Sequence, residues 1–454
     1  MEEILLKIDE LAKYHDQVSP DLIREKDIKP GLRNADGTGV VVGITSKGLV
    51  VGYEKVLTPD GKGYKVKSVE GRLLYCGYDV CDLTEGIYRE GRFGFDEVSY
   101  LLLTGELPAA EDLTRFSSTL AKRRTLTKLE RGILMQDGEN ENQMYALHSV
   151  VSHLSRCDSN PESTDLKHET NRCINLIAKF PTIVAYNYHV MRYRTGSTLS
   201  IIRPDPALSA AENFLYMLKG KRPSRFEAEL FDLCLILHAE HGGGNNSTFT
   251  VRAVSSSGAN AYMAICSGIA SLSGHLHGGA NESVMRMMKG IKKQVGDWED
   301  RDEVKTYLQR MLDGKAYDRS GKIYGMGHAV YTVSDPRAVL LKEKAWELAR
   351  MKNMSHEYAL YNLVEDTAQE IFRERGKKDI CVNVDFYSGF IYKLLGIPME
   401  LYTPIFAMSR VVGWSAHRIE QIIQNRIMRP AYASSIAAES SYVPLANRGK
   451  EAAA

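Results

Sequence analysis

The chain has 454 residues, which at ~150 residues per domain suggests about three domains, or one large and one small. Its 58 basic and 57 acidic residues leave a formal charge of +1, so no basic excess is available to neutralise a nucleic-acid backbone or an anionic membrane. The seven cysteines are odd in number and form no C-x-x-C pair, which argues against a disulfide framework or a cysteine zinc site and for a reducing, cytoplasmic setting.

In chain order, residues 2 to 15 place Leu5, Ile8 and Leu11 on one helical face. This stretch lacks a basic n-region and a small-residue cleavage site, so no secretory leader is expected. No run approaches eighteen apolar residues, so no membrane span is expected. From Gly37 to Tyr78, alternating valines and glycines and the turn T-P-D-G-K-G predict several short strands. From Phe93 onward the pattern is helical almost to the end. Asp96 is expected to cap a helix through Val98 and Leu101 that Gly105 stops. Polar connections within 137–170 flank a short apolar segment. Lys179-Phe180-Pro181-Thr182 is expected to open a further helix, interrupted around Gly196, and Ala210 to Leu218 forms another, ended by Gly220. Ser224 and Glu227 have the spacing of a capping box, ahead of Phe226, Leu230, Leu233 and Leu237 on one buried face. That helix ends at His238 to Gly242.

The next helix, about 260–275, carries Ala261, Ala264, Gly268 and Ser271 on one face and Ile265, Ile269, Leu272 and Leu276 on the adjacent one. Both faces are expected to be buried, within the monomer or against another subunit. Residues 283–374 are helical between loops at 314–327 and 334–336. Tyr387 to Leu395 forms a helix closed by Gly396 and Pro398. The tail from Arg429 is less regular, and its closing GKEAAA is expected to fray.

Chemistry concentrates where helix gives way to glycine. His238, His241, His275 and His277 stand beside Gly242-Gly243-Gly244 and Gly278-Gly279. Four imidazoles could hold zinc, but H-A-E-H is not the helical H-E-x-x-H pattern, and no metal is assigned. His238 and His275 are expected to be hydrogen-bonded core histidines. Gly242-Gly243-Gly244-Asn245 is not a G-x-x-x-x-G-K-[ST] loop, Gly325-Met326-Gly327-His328 does not complete G-x-G-x-x-G, and the βαβ texture of a dinucleotide fold is missing. Tyr324 to Val330 places His328 on a glycine-flanked loop, and Arg337 follows Asp335-Pro336. Asn383-Val384-Asp385 places a carboxylate where a helix begins, and the positive end of a helix favours its ionised form.

Together these segments resemble the citrate synthase family. Residues 238–281 look like its two histidine segments, GMGHAVYTVSDPR like its loop histidine followed by D-P-R, and NVDFYSG like its aspartate segment. GRLLYCGYDVCDL with FDEVSYLLLTGELP looks like its N-terminal pattern. The resemblance runs from about Gly71 to Arg429. It implies a mainly α fold with a large helical domain (1–278 and 396–454, with a short β region about 37–78) and a smaller helical domain (279–395) that closes over the site. It implies condensation of acetyl-CoA with oxaloacetate and hydrolysis of the thioester, giving citrate and CoA at the entry to the tricarboxylic acid cycle, with no cofactor beyond the substrates. By family correspondence Asp385 is the base, His277 a donor to the thioester oxygen and His328 a donor to the keto oxygen. His241, Arg337 and Arg410 hold oxaloacetate, and Arg429 is supplied across a homodimer.

The chain departs from the family's pattern at Thr332 and Val333, where a basic residue toward the CoA phosphate is common, and at His275, Val382 and Cys76. No departure removes a reacting group. A 2-methylcitrate synthase using propionyl-CoA is the close alternative, since one methylene discriminates by only ~1–3 kcal/mol. A non-catalytic helical binding protein of the same fold is the remote one.

Overall fold

The computed structural model describes residues 2–15, 19–136, 142–377, 379–436 and 441–448. Part of the polar connection, 137–141, and the closing GKEAAA lie outside them. Among the described residues there are eighteen α-helices and three strands, the mainly helical class that was expected. None of these helices is long and apolar enough to cross a membrane. The chain divides into two compact units, Met1–Val42 with Arg429–Ala454, and Gly43–Met428. The first contains the expected helix Glu2–His15, with Leu5, Ile8 and Leu11 exposed, and an irregular C-terminal tail.

In the second unit, strands β1 (Gly48–Leu57), β2 (Tyr64–Tyr75) and β3 (Tyr78–Asp79) form an antiparallel sheet in the order β1-β2-β3. The T-P-D-G-K-G turn joins two strands longer than expected, with a register irregularity between Val51 and Tyr53. At that end of the hairpin, Gly52 and Gly71 allow backbone to approach the 330–334 segment so closely that an added Cβ would overlap carbonyl oxygens of Val330 and Ser334.

The helices are built around Tyr402–Gln424, which is buried on nearly every side and includes Arg410, Trp414 and Arg418. Such a helix belongs to the interior of a large core. It packs against Leu166–Arg194, Asn246–Ser256, Phe95–Thr104, Ala261–Leu272 and Arg225–His238. One buried charge there is paired: Arg418 holds Glu169 with two parallel bonds, Nε to Oε2 at 3.0 Å and Nη2 to Oε1 at 2.9 Å.

The local signals for Arg225–His238 hold, with the Ser224 and Glu227 capping box formed in both directions. Four expectations do not. Pro181 opens no helix: Leu166–Arg194 is continuous with Pro181 inside it, and Asp165 caps its start. Burial of Phe180, Ile183 and Val184 offsets the backbone hydrogen bond that the proline removes. Asp96 is not a cap either. Gly94 is the cap residue, and Asp232 from another helix accepts its N–H at 2.7 Å. The helix expected from Tyr387 begins three residues earlier, as Val384–Leu394 capped by Asn383, with Asp385 in its first turn.

The small-residue helix stops at Leu272, so Leu276 is 83% exposed and His275 is an exposed turn residue rather than a core one. Ala261, Ala264 and Gly268 are buried within the chain. A Cβ on Gly268 would lie 2.7 Å from Val251 and 3.0 Å from Trp414. Met263 and Ala270, on the opposite edge, are exposed.

Candidate active site

The helix Arg225–His238 delivers His238, Glu240 and His241 into the interior, and all three are buried. The turn is held against Tyr402–Gln424 by Gly413 N–H donating to the Ala239 carbonyl at 3.1 Å, and by His417 Nε2 bonding Glu240 Oε1 at 2.9 Å. Tyr75 of β2 closes the third side, its hydroxyl donating to Ile236 O at 2.9 Å and Glu240 O at 3.2 Å. His241 Nε2 is buried with no hydrogen-bond partner among the described residues, and so are both ring nitrogens of His238, which is a core histidine as expected but not a hydrogen-bonded one. Burial first, then the nearby Arg337, lowers both pKa values, that of His238 to about 3. Both rings are therefore neutral at physiological pH.

The two other histidines are oriented by backbone amides. Ser247 N–H donates to His277 Nε2 at 3.3 Å. A ring nitrogen that accepts carries no proton, so neutral His277 holds its proton on Nδ1. Burial, then Arg410, lowers its pKa to about 4, which keeps the ring neutral. His328 is set the other way round. Its Nδ1 accepts from the N–H groups of Val330 and Tyr331, both at 3.0 Å, which places the proton on Nε2. The His328 ring lies 5.0 Å from that of His241 and 4.6 Å from that of Tyr331.

The His328 loop and the Asp385 segment form one piece. Gly327 N–H donates to Cys381 O at 2.8 Å, Asn383 N–H to Gly325 O at 2.9 Å, and Asn383 Nδ2 to Gly327 O at 3.0 Å. Gly325 and Gly327 both have positive φ, at 80° and 84°, which a side chain rarely tolerates. Asp385 is thereby brought to the same locality as His328, over fifty residues away in sequence. Burial raises its pKa to about 6, against the opposing pull of Arg337 and Arg410. A carboxyl group poised near neutrality suits a general base.

Two guanidinium groups complete the surroundings. Arg337 begins the helix Pro336–Met351 and is gripped by Asp335, Nε to Oδ1 at 3.0 Å and Nη2 to Oδ2 at 2.7 Å. Arg410 is fully buried. Its Nε donates to His238 O at 2.6 Å, while Nη1 and Nη2 have no partner among the described residues. Burial lowers its pKa to about 10, with Glu240 opposing, so it remains charged. A buried, charged fork with open donors is a receptor for a carboxylate.

Of the residues singled out by sequence, His241, His277, His328, Arg337, Arg410 and Asp385 all lie in the second unit. Their pKa shifts, ring contacts and shared hydrogen bonds link them. Arg429 lies in the first unit and is exposed. Sequence reasoning passed over Glu240, Asp335, Tyr331 and His417. Glu240 stands between two histidines and Asp335 heads D-P-R, so both were within sight. The partner of Glu240, His417, carries no local signal. Among the described residues no group of three or more His, Cys, Asp or Glu side chains is arranged to hold a metal ion.

The chain is similar to known proteins over most of its length. The family described as citrate synthase, C-terminal domain, matches residues 46–431. The citrate synthase of Haloferax volcanii is 39% identical over 389 residues, covering 84% of this chain and 93% of its own. A 2-methylcitrate synthase of Shewanella oneidensis is 34% identical over 376 residues, covering 83% and 92%. The citrate synthase of Thermoplasma acidophilum, solved as a ternary complex with carboxymethyl coenzyme A and oxaloacetate, superposes with a TM-score of 0.74 at 26% identity, covering 93% of this chain and 99% of its own. The chain belongs to the citrate synthase family of acyltransferases, which convert the acyl group to an alkyl group as they transfer it.

Proposed function

We propose that this enzyme condenses acetyl-CoA with oxaloacetate and hydrolyses the product to citrate and CoA, the entry step of the tricarboxylic acid cycle. Asp385 removes a proton from the acetyl methyl group, and His277 donates from Nδ1 to the thioester oxygen as the enol forms. The enol carbon attacks the keto carbon of oxaloacetate, whose oxygen is polarised and then protonated by Nε2–H of His328. Each positioned acid or base contributes ~10²–10⁴-fold, so the three act together with orientation of both substrates. The observation that carries this reading is the buried Arg410 fork beside His241, all with unpartnered donors or acceptors, in the same site as a carboxyl group of pKa about 6.

Arg410, Arg337 and His241 hold oxaloacetate, and no cofactor beyond the two substrates is required. Residues 279–395 form the smaller domain, closing against 1–278 and 396–454 to exclude water during condensation. The enzyme works as a homodimer, with Arg429 of the partner subunit reaching oxaloacetate. The exposed edge of Ala261–Leu272 at Met263 and Ala270 is available for that interface. Seven free cysteines fit a cytoplasmic location.

Thiol release from acetyl-CoA and from propionyl-CoA, each with oxaloacetate, tests the reaction. Faster acetyl turnover is expected. No release from either refutes the proposal, and faster propionyl turnover replaces it with 2-methylcitrate synthesis, the activity named for the Shewanella relative.

A further inference from the structure

We infer that Tyr331 is a positioning residue for this reaction, and that its ring rather than its hydroxyl sets the plane of His328 and steadies Arg337. The inference rests on the proposed condensation, in which His328 must present Nε2–H to the keto oxygen.

Tyr331 is 1% exposed and touches three members of the site. Its ring lies 4.6 Å from the His328 ring at 30°, and 5.5 Å from the His241 ring at 76°. The Arg337 guanidinium carbon is 5.7 Å from its centroid, within range of a cation–π attraction. The backbone N–H of the same residue donates to His328 Nδ1 at 3.0 Å. One residue therefore controls His328 twice. The amide chooses the tautomer, and the ring limits rotation of the imidazole.

Tyr331 is itself clamped from outside the site. An added Cβ on Gly71 would lie 2.8 Å from its Cδ1, and one on Gly52 would lie 2.8 Å from its Cα. Thr332 Oγ1 donates to Gly52 O at 3.0 Å, and Gly71 N–H donates to Ser334 Oγ at 3.1 Å. The β1–β2 hairpin thus backs the ring with rigid backbone. The phenol oxygen, by contrast, is buried and has no hydrogen-bond partner among the described residues. The contacts of Tyr331 with His328, His241 and Arg337 described above are all made by its ring or its backbone amide. What the site uses is the flat, polarisable face.

Tyr331→Phe and Tyr331→Leu separate the two parts. Phe keeps kcat and the oxaloacetate KM within about twofold of wild type, while Leu lowers kcat ~10-fold or more, because a misaimed donor no longer meets the developing oxyanion. Leu also raises the oxaloacetate KM and leaves the acetyl-CoA KM unchanged, a split that general loosening of the fold would not produce. Tyr331→Met, also without a ring, replaces Leu if circular dichroism shows that Leu does not fold. The inference fails if the ringless variant matches wild type, or if Phe is as impaired as Leu. Wild-type protein without thiol release refutes the proposed reaction instead. Tyr331 is then judged by calorimetric titration with oxaloacetate, where Leu must weaken binding and Phe must not.

Discussion

Arg410 donates its Nε proton to the carbonyl oxygen of His238 at 2.6 Å, and this bond fixes the fork while leaving both Nη groups buried and unpartnered among the described residues. Hydrogen bonds to charged groups contribute ~1.5–3 kcal/mol each, so two open Nη groups give an entering carboxylate a firm hold. Arg410→Met removes a buried charge and also the donor to the buried His238 carbonyl, so the Tm of the free protein should shift by no more than a few degrees. The same variant should lose the rise in Tm that oxaloacetate gives the wild type, and its oxaloacetate KM should rise by ~10²-fold or more. Thermal melts with and without oxaloacetate check both halves. A large drop in the free-protein Tm would mean that Arg410 is structural first.

The two donor histidines carry their protons on opposite nitrogens, and amide side chains can tell them apart. The amide nitrogen of asparagine falls near Nδ1 of a histidine, and that of glutamine near Nε2. His277, which accepts at Nε2, should therefore tolerate Asn better than Gln. His328, which accepts at Nδ1, should tolerate Gln better than Asn. The favoured variant in each pair should keep kcat about 10-fold above the other, a fraction of the ~10²–10⁴ that a positioned donor supplies. Equal loss in both pairs would show that hydrogen-bond direction is not what the reaction uses.

The parts legible in the sequence were those with local physics. The capping box at Ser224, the stop at Gly220 and the helix after Asn383 each depend on a few neighbouring residues. Family resemblance supplied the chemical residues, and six of them do share the second unit. What failed depended on partners distant in sequence. Asp96 looked like a cap because nothing nearby showed that Asp232 satisfies the amide at Gly94. Pro181 looked like a helix start because the burial that tolerates it comes from other helices. His275 and Leu276 continued an apolar period past the point where the chain turns, after Leu272, toward Gly278. The Glu240–His417 pair spans 177 residues and could not be read at all.

Asp385 should govern the acid limb of the rate. Burial pushes its pKa to about 6, while those of His277 and His238 sit at about 4 and 3, so the histidines stay neutral across the working range. Log kcat/KM should fall with unit slope below pH ~6, since that ratio reports the free enzyme's base. Asp385→Asn should abolish condensation while leaving oxaloacetate binding largely intact. Stability should respond in two directions. A carboxyl whose folded pKa lies above its ordinary 3.8 is penalised when ionised, so its cost grows as pH rises from about 4 to 6 and is complete above. Asp385→Asn should accordingly raise Tm at pH 7.5 and not at pH 4. Histidines with folded pKa values below their ordinary 6.5 do the reverse, contributing stability above that pH that is lost as it falls toward 4 and 3. Melts across this range, with rates measured on the same samples, test both signs. A rate that declines below pH 7 with no inflection near 6 would assign the acid limb to another group.

Gly413 is where the histidine turn meets the arginine helix. Its N–H donates to Ala239 O at 3.1 Å, and a Cβ there would overlap that same carbonyl and Glu240 Oε2. The obstruction is buried backbone on one side and, on the other, a carboxylate already held by His417 and by Gly242 N–H. Neither can rotate away, so the turn must move as a whole and carry His241 away from Arg410. Overpacking of this kind costs ~1–3 kcal/mol, and a shift of about 1 Å at a positioned group costs up to ~10²-fold in rate. Gly413→Ala should lower Tm by a few degrees and raise the oxaloacetate KM at least several-fold, with the acetyl-CoA KM little changed. Gly86→Ala is the matched control, because an added Cβ there meets nothing among the described residues within 4 Å and the helix interior favours alanine by roughly 0.5–1 kcal/mol. It should melt no lower than wild type and turn over normally. If Gly413→Ala behaves like that control, the close approach of the two segments does not determine how oxaloacetate is held.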